Sequence, residues 1–151
     1  MTCQEVIERL QSCSSEKYKA NVVKMGIPEA CSIGVSTPEI RKLAGEIGTS
    51  HELAFQLWES GYHEARLLAV LLFDKKQITC KEIEQLIHDV CSWDLCDHLC
   101  KNLIMKRKDY HHFIMEWSQS SEVYKMRAAF TLIASAAIHD HKITDDALEE
   151  Y

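Results

Sequence analysis

Residues 36–73 read STPEIRKLAGEIGTSHELAFQLWESGYHEARLLAVLLF, and this stretch decides the fold class. Ser36-Thr37-Pro38-Glu39 supplies N-cap candidates, a proline suited to a first helical turn and an early acid. Ile40, Leu43, Ala44 and Ile47 then fall on one helical face before Gly48. Ser50 to Ser60 and Tyr62 to Phe73 read as two further helices joined by Gly61, and the second is apolar on most sides, as an inner helix is.

The same pattern extends outward in both directions. Upstream, apolar positions at Tyr18, Val22, Val23 and Met25 stop at Gly26, where a helix-ending glycine belongs, so two helices fill residues 2–25. Downstream, Thr79 to Val90, Trp93 to Met105, Asp109 to Trp117, Glu122 to Ile138 and Thr144 onward complete a series of about nine helices with short connections. With 5 Gly and 2 Pro in 151 residues, the chain lacks the turn punctuation that a sandwich or barrel of short strands needs. A hydrophobic content of 46% supports a real core, and residues 1–151 are expected to form one all-α domain. Trp58 is followed eight residues on by Arg66-Leu-Leu-Ala and Trp117 ten residues on by Arg127-Ala-Ala-Phe. Each is a short amphipathic helix feeding a more apolar one, which points to stacked helical repeats. Short-linked pairs also occur in ordinary bundles.

Charge is unevenly placed. The formal net charge of -6, from 17 basic and 23 acidic residues, argues against a generic polyanion binder, whose affinity comes from many phosphate-neutralising groups. Residues 31–100 carry 6 basic against 11 acidic side chains, residues 101–127 carry 6 against 3, and residues 128–151 carry 1 against 5. The basic segment consists of Lys101, Lys106, Arg107, Lys108, Lys125 and Arg127, which together suit a local phosphate contact. Lys106-Arg107-Lys108 reads equally as a solvated turn that compensates a helix C-terminus.

No apolar run reaches membrane-spanning length; the longest, Leu67 to Phe73, meets Asp74, Lys75 and Lys76 at once. MTCQEVIERL has no basic stretch leading into an apolar one, so a cytoplasmic chain with reduced thiols at its seven cysteines is expected. His88, Cys91, Cys96 and Cys100 lack metal-ligand spacing, and Cys96 and Cys100, one turn apart, suit a buried face. There is no Walker loop, nucleophile elbow or dinucleotide fingerprint. Neither metal nor cofactor is expected.

The chemistry-bearing cluster is Ser92-Trp93-Asp94-Leu95-Cys96-Asp97. Trp93 and Asp97, four apart at a helix start, share a face, setting an aromatic plane beside a carboxylate. The same residues also read structurally: Ser92 caps, the acids complement the helix dipole and Trp93 packs.

Three stretches resemble the bacterial DNA alkylation repair proteins of the AlkD type, helical-repeat DNA glycosylases. Gly34-Val35-Ser36-Thr37-Pro38-Glu39-Ile40-Arg41 is similar to that family's Gly-Val-x-x-Pro-x-x-Arg segment. Leu57-Trp58 with His63-Glu64-Ala65-Arg66-Leu67-Leu68-Ala69 resembles its Leu-Trp and His-Glu-x-Arg-x-x-Ala pair. Trp93-Asp94-Leu95-Cys96-Asp97 followed by Lys125-Met126-Arg127-Ala128-Ala129 is the third. The resemblance implies a right-handed, HEAT-like (armadillo-type) stack of antiparallel helix pairs, an α-solenoid whose concave face holds duplex DNA. It implies hydrolytic removal of N3- or N7-alkylated purines, with Asp97 as the catalytic aspartate, Trp93 as the lesion-facing tryptophan and Arg127 as the arginine on the DNA backbone. Lys125, Lys106 and Arg107 join Arg127 as candidate DNA contacts. The implied protein acts as a monomer in the cytoplasm, on the nucleoid, and residues 1–151 are expected to lack the family's last repeats. A non-catalytic helical-repeat module that binds DNA or a protein partner is the alternative.

Overall fold

The computed structural model describes residues 1–139, and all regular elements among them are helical. The helix expected from Thr144 onward lies outside the described residues. The chain divides into two units, Met1–Ile78 and Thr79–Tyr151.

The first unit contains α1 (Cys3–Ser12), α2 (Glu16–Lys24), a short 3-10 turn (Glu29–Cys31), α3 (Thr37–Ile47), α4 (His51–Glu59) and α5 (His63–Leu72). Thr2 starts α1 through a reciprocal capping box with Glu5, which satisfies otherwise orphaned backbone donors. Ser36 and Pro38 open α3 where the sequence predicts, and Gly48 closes it at φ 77°. The α4–α5 pair is folded back on itself at Gly61, φ 81°, a conformation that a side chain would strain. Helix α5 is the inner element: Ala65, Leu68, Ala69 and Leu72 are fully buried, and α1, α3 and α4 pack around it. Trp58 is buried, and the Arg66 guanidinium lies 5.2 Å over its ring while Nε donates to the Trp58 carbonyl at 3.1 Å.

At the first turn of α5, Glu64 is 0% exposed. Its carboxylate accepts three consecutive backbone N–H groups, from Ile33 (3.0 Å), Gly34 (2.6 Å) and Val35 (3.2 Å). A loop with no ladder of its own is thereby tied to the central helix. Gly34 sits at φ 91°, and a Cβ there would come within 2.6 Å of the Ser15 carbonyl oxygen and 2.8 Å of the Lys19 backbone nitrogen. That close approach lets the Gly34 carbonyl accept the Ser15 N–H at 2.8 Å, just before α2.

The second unit contains α6 (Cys80–Asp89), α7 (Trp93–Asn102), a 3-10 turn (Ile104–Lys106), α8 (Tyr110–Trp117) and α9 (Val123–His139). Thr79 and Glu82 form a second capping box. Helix α7 ends three residues short of the expected Met105. The Asn102 side chain donates back to the His98 carbonyl at 3.0 Å, offering the backbone an alternative to continuing, and the chain tightens into the 3-10 turn that buries Leu103 and Ile104. Helix α8 starts at Tyr110 rather than Asp109, whose carboxylate bonds Arg107 and caps nothing.

Helices α7 and α8 both pack on α9. The seam is built from small side chains: Cys96 and Cys100 on α7 and Ala128, Ala129 and Ala136 on α9 are all 0% exposed. The Cys96 thiol donates to the Tyr124 carbonyl at 3.4 Å and the Cys100 thiol to that of Ala128 at 3.7 Å. The two cysteines thus do occupy the buried face expected of them. Among the described residues no helix is long and apolar enough to cross a membrane.

Glu64→Ala is expected to destabilise the first unit by about 3 kcal/mol or more, because three amides lose a charged acceptor where water does not reach them. Glu64→Gln, which keeps an acceptor oxygen, should recover part of the loss. Urea midpoints followed by far-UV circular dichroism measure both, and an unchanged midpoint for the alanine variant would show that the tie contributes nothing.

Candidate functional site

The α7–α9 seam determines which side chains meet at its rim. Cys96 is buried in the seam, so its neighbour Asp97 emerges at the edge, facing the residues one turn along α9. Arg127 Nε donates to Asp97 Oδ1 at 3.0 Å and Nη2 to Oδ2 at 2.9 Å, a two-pronged pair. The Thr131 hydroxyl donates to Asp97 Oδ1 at 3.1 Å. The Arg127 guanidinium also lies 5.6 Å over the Trp93 ring. Side-chain exposure is 45% for Arg127 and 23% for Asp97, and Trp93 is 50% exposed. Asp97 strengthens the hold of Arg127 on its proton.

Trp93, Asp97 and Arg127, which the family resemblance groups as a site, are therefore brought together, with Arg127 touching both of the others. The carboxylate is met by side chains rather than sealed by backbone amides. Ser92 does cap α7, accepting the Leu95 N–H at 3.3 Å, as its structural reading expects. Trp93 does not pack into the core, unlike Trp58 and Trp117, which are 1% and 0% exposed.

Beside Arg127, a cleft of about 550 Å³ is lined by Val123, Met126, Arg127, Phe130, Thr131 and Ala134 among others. Phe130 is 61% exposed there. Neither Thr131 nor Phe130 was singled out in the sequence. Thr131 lies four residues after Arg127, so helical spacing from the arginine was the available signal.

The other basic candidates are placed elsewhere. Arg107 is turned to Asp109, with Nε to Oδ1 and Nη2 to Oδ2 both at 2.8 Å, and its side chain is only 12% exposed. Lys125 lies between Glu84 (2.9 Å) and Glu122 (3.0 Å). Glu84 also accepts the Trp117 indole N–H. Lys106 is exposed and lines a separate cleft with Lys101, Met105 and Ser135. Much of the positive surplus along residues 101–127 is thus consumed by acids within the unit. The recurrence of tryptophan and arginine also resolves differently in the two units. Arg66 stacks on Trp58, whereas Arg127 stacks on Trp93 and leaves Trp117 to Glu84. Among the described residues no three His, Cys, Asp or Glu side chains gather as a metal-holding cluster.

A family model described as DNA alkylation repair enzyme matches residues 6–150. No curated protein matches. A solved structure, described as a new family of proteins related to the HEAT-like repeat DNA glycosylases with affinity for branched DNA structures, superposes with a TM-score of 0.82. It shares 18% identity, and the match covers 99% of this chain and 72% of that one. The HEAT-like helical-repeat fold implied by the resemblance is the fold of that structure; the affinity for branched DNA belongs to that protein.

Arg107 holds the Asp109 carboxyl below its ordinary range, with the Cys80 thiol adding a hydrogen bond. A carboxyl lowered on folding adds stability above its unfolded value of about 4, and that stability is lost as pH falls through the folded value. Arg107→Gln should therefore lower the urea midpoint more near neutral pH than near about pH 3, narrowing the difference between them. An equal drop at both pH values would mean that the arginine acts through packing and not through this pair.

Proposed function

The chain belongs to the DNA alkylation repair enzyme family, and from that premise we propose that it removes cationic N3- and N7-alkylpurines from duplex DNA by hydrolysing the N-glycosidic bond. The observation that carries this reading is the company kept by the Arg127 guanidinium. A planar, delocalised cation rests between an aromatic ring and a carboxylate, and an alkylated purine is a cation of the same kind.

An alkylated purine leaves as a neutral base, so its departure needs no general acid, unlike ordinary glycoside hydrolysis with its two carboxyl groups. One ionised carboxylate suffices. Asp97 stabilises the positive charge that develops on the deoxyribose and orients the attacking water, which donates a proton to the carboxylate as its oxygen bonds the anomeric carbon. Trp93 presents its ring face to the cationic nucleotide, an attraction of about 0.5 to 2 kcal/mol. Arg127 grips a phosphate through its planar fork and sets the strand relative to Asp97. Lys106, exposed on the same unit, adds a sequence-independent phosphate contact. Arg107 and Lys125, held by acids, contribute less than their charge suggests.

A second reading has its own support. Asp97 is fully engaged by Arg127 and Thr131, and the matched structure is of a protein with affinity for branched DNA structures. A module that binds DNA without excising bases fits both facts.

The two separate in one assay. Release of 7-methylguanine and 3-methyladenine from methylated duplex DNA is expected for the wild type, and Asp97→Asn should slow it on the order of a hundredfold while leaving duplex binding largely intact. Equal release by both proteins would remove Asp97 from the chemistry. Salt-sensitive binding without any release would favour the non-catalytic module.

A further inference from the structure

Arg127 stands where the reading above puts the substrate. Its guanidinium occupies both oxygens of Asp97 and one face of Trp93, the two groups assigned to the cationic nucleotide. While the arginine is there, a purine cation has to compete with it for both carboxylate oxygens and for that ring face. The same residue also borders the cleft of about 550 Å³ that holds Phe130 and Thr131. Val123, Met126, Phe130 and Ala134 make most of that cleft apolar, but a phosphate at its Arg127–Thr131 edge would lie within the sweep of a long, half-exposed side chain, and phosphate accepts the guanidinium fork as well as carboxylate does.

We infer that Arg127 is a resident stand-in for the substrate's cation, and that a DNA phosphate entering the cleft beside α9 draws it off Asp97 and opens the cation site. This rests on the proposed function for the identity of the cation, though not for the exchange itself. In the exchange the carboxylate loses one cation and gains another, so Asp97 never stands unpaired in a half-buried position. Thr131, bonded to the same Oδ1, holds the carboxylate in place while its partner changes. The ligand class follows from the geometry: planar, delocalised cations bind at Asp97 and Trp93, and phosphate binds next to them. Neutral bases gain only a stacking face from Arg127 leaving and not the carboxylate, which makes the exchange a filter that favours positively charged lesions.

The probe is N-methylquinolinium, a permanent planar cation, with neutral quinoline as its control. Binding is followed by the Trp93 indole N–H resonance, Trp58 and Trp117 being buried. Arg127→Gln should bind the cation about tenfold more tightly than the wild type, with quinoline unchanged, and adding Asp97→Asn should abolish the gain. A folded Arg127→Gln protein with no gain overturns the inference. The wild type supplies an independent measurement: unmodified duplex DNA should move the Arg127 Nε–H resonance toward its position in Asp97→Asn. An Arg127 signal that stays fixed when DNA saturates the protein also overturns it. The base-release assay is separate. Exchange without base release removes the enzyme reading alone, and base release with a fixed Arg127 removes this inference alone.

Discussion

A carboxylate withdrawn from water has to be met by donors, and that requirement organises both units of this chain. Three acids meet it in three ways. Glu64, fully buried, collects three successive backbone amides and so converts an irregular loop into a fixture of the first unit. Asp109 takes the fork of Arg107 and a thiol from Cys80, pinning the turn before α8 to the start of α6. Asp97, 23% exposed against 39% for Asp109, is met by two side chains of a neighbouring helix, Arg127 and Thr131 of α9. The difference is one of freedom to move. Backbone amides cannot leave Glu64 without unfolding the loop, whereas an arginine on a flexible stem can be exchanged.

The small-residue seam between α7 and α9 converts this chemistry into position. Alanines and cysteines let the two helices approach until thiols reach backbone carbonyls across the gap. At that spacing a short aspartate and an arginine meet face to face, and the threonine a turn further on closes the group. A larger residue at Ala128, opposite Cys100, would hold α7 away from α9 and stretch the pair. The seam also explains why cysteines recur here without metal-ligand spacing: a sulfur is small enough to fit and polar enough to bond a carbonyl.

Helix positions were largely legible because hydrophobic periodicity and glycine punctuation report on the backbone directly. The inner character of α5 followed from its all-round apolarity, and Gly26, Gly48 and Gly61 each closed an element where expected. The misjudged ends had local causes that lie in side-chain choices. Asn102 bonded backwards, and Asp109 chose Arg107 over the helix it precedes. At the site, the one-turn spacing of Trp93 and Asp97 was visible, and Arg127 entered through family resemblance. Thr131 carries no mark beyond its one-turn spacing from Arg127, and Phe130, as an uncharged residue on a helix, carries none of what faces it. Pairing was the least legible property. Counting charges along residues 101–127 cannot distinguish an available lysine from Lys125, which two acids from different positions already claim.

The residues that set the separation of α7 and α9 are small and buried, and none of them belongs to the site they align. Two chains with the same tryptophan, aspartate and arginine therefore need not place them alike, since bulk added on the hidden side of α9 shifts the helices they stand on. Change in the geometry of such a site has a route that leaves every signature residue in place. Comparing motifs would miss it, whereas comparing the volumes of buried alanines and cysteines would not.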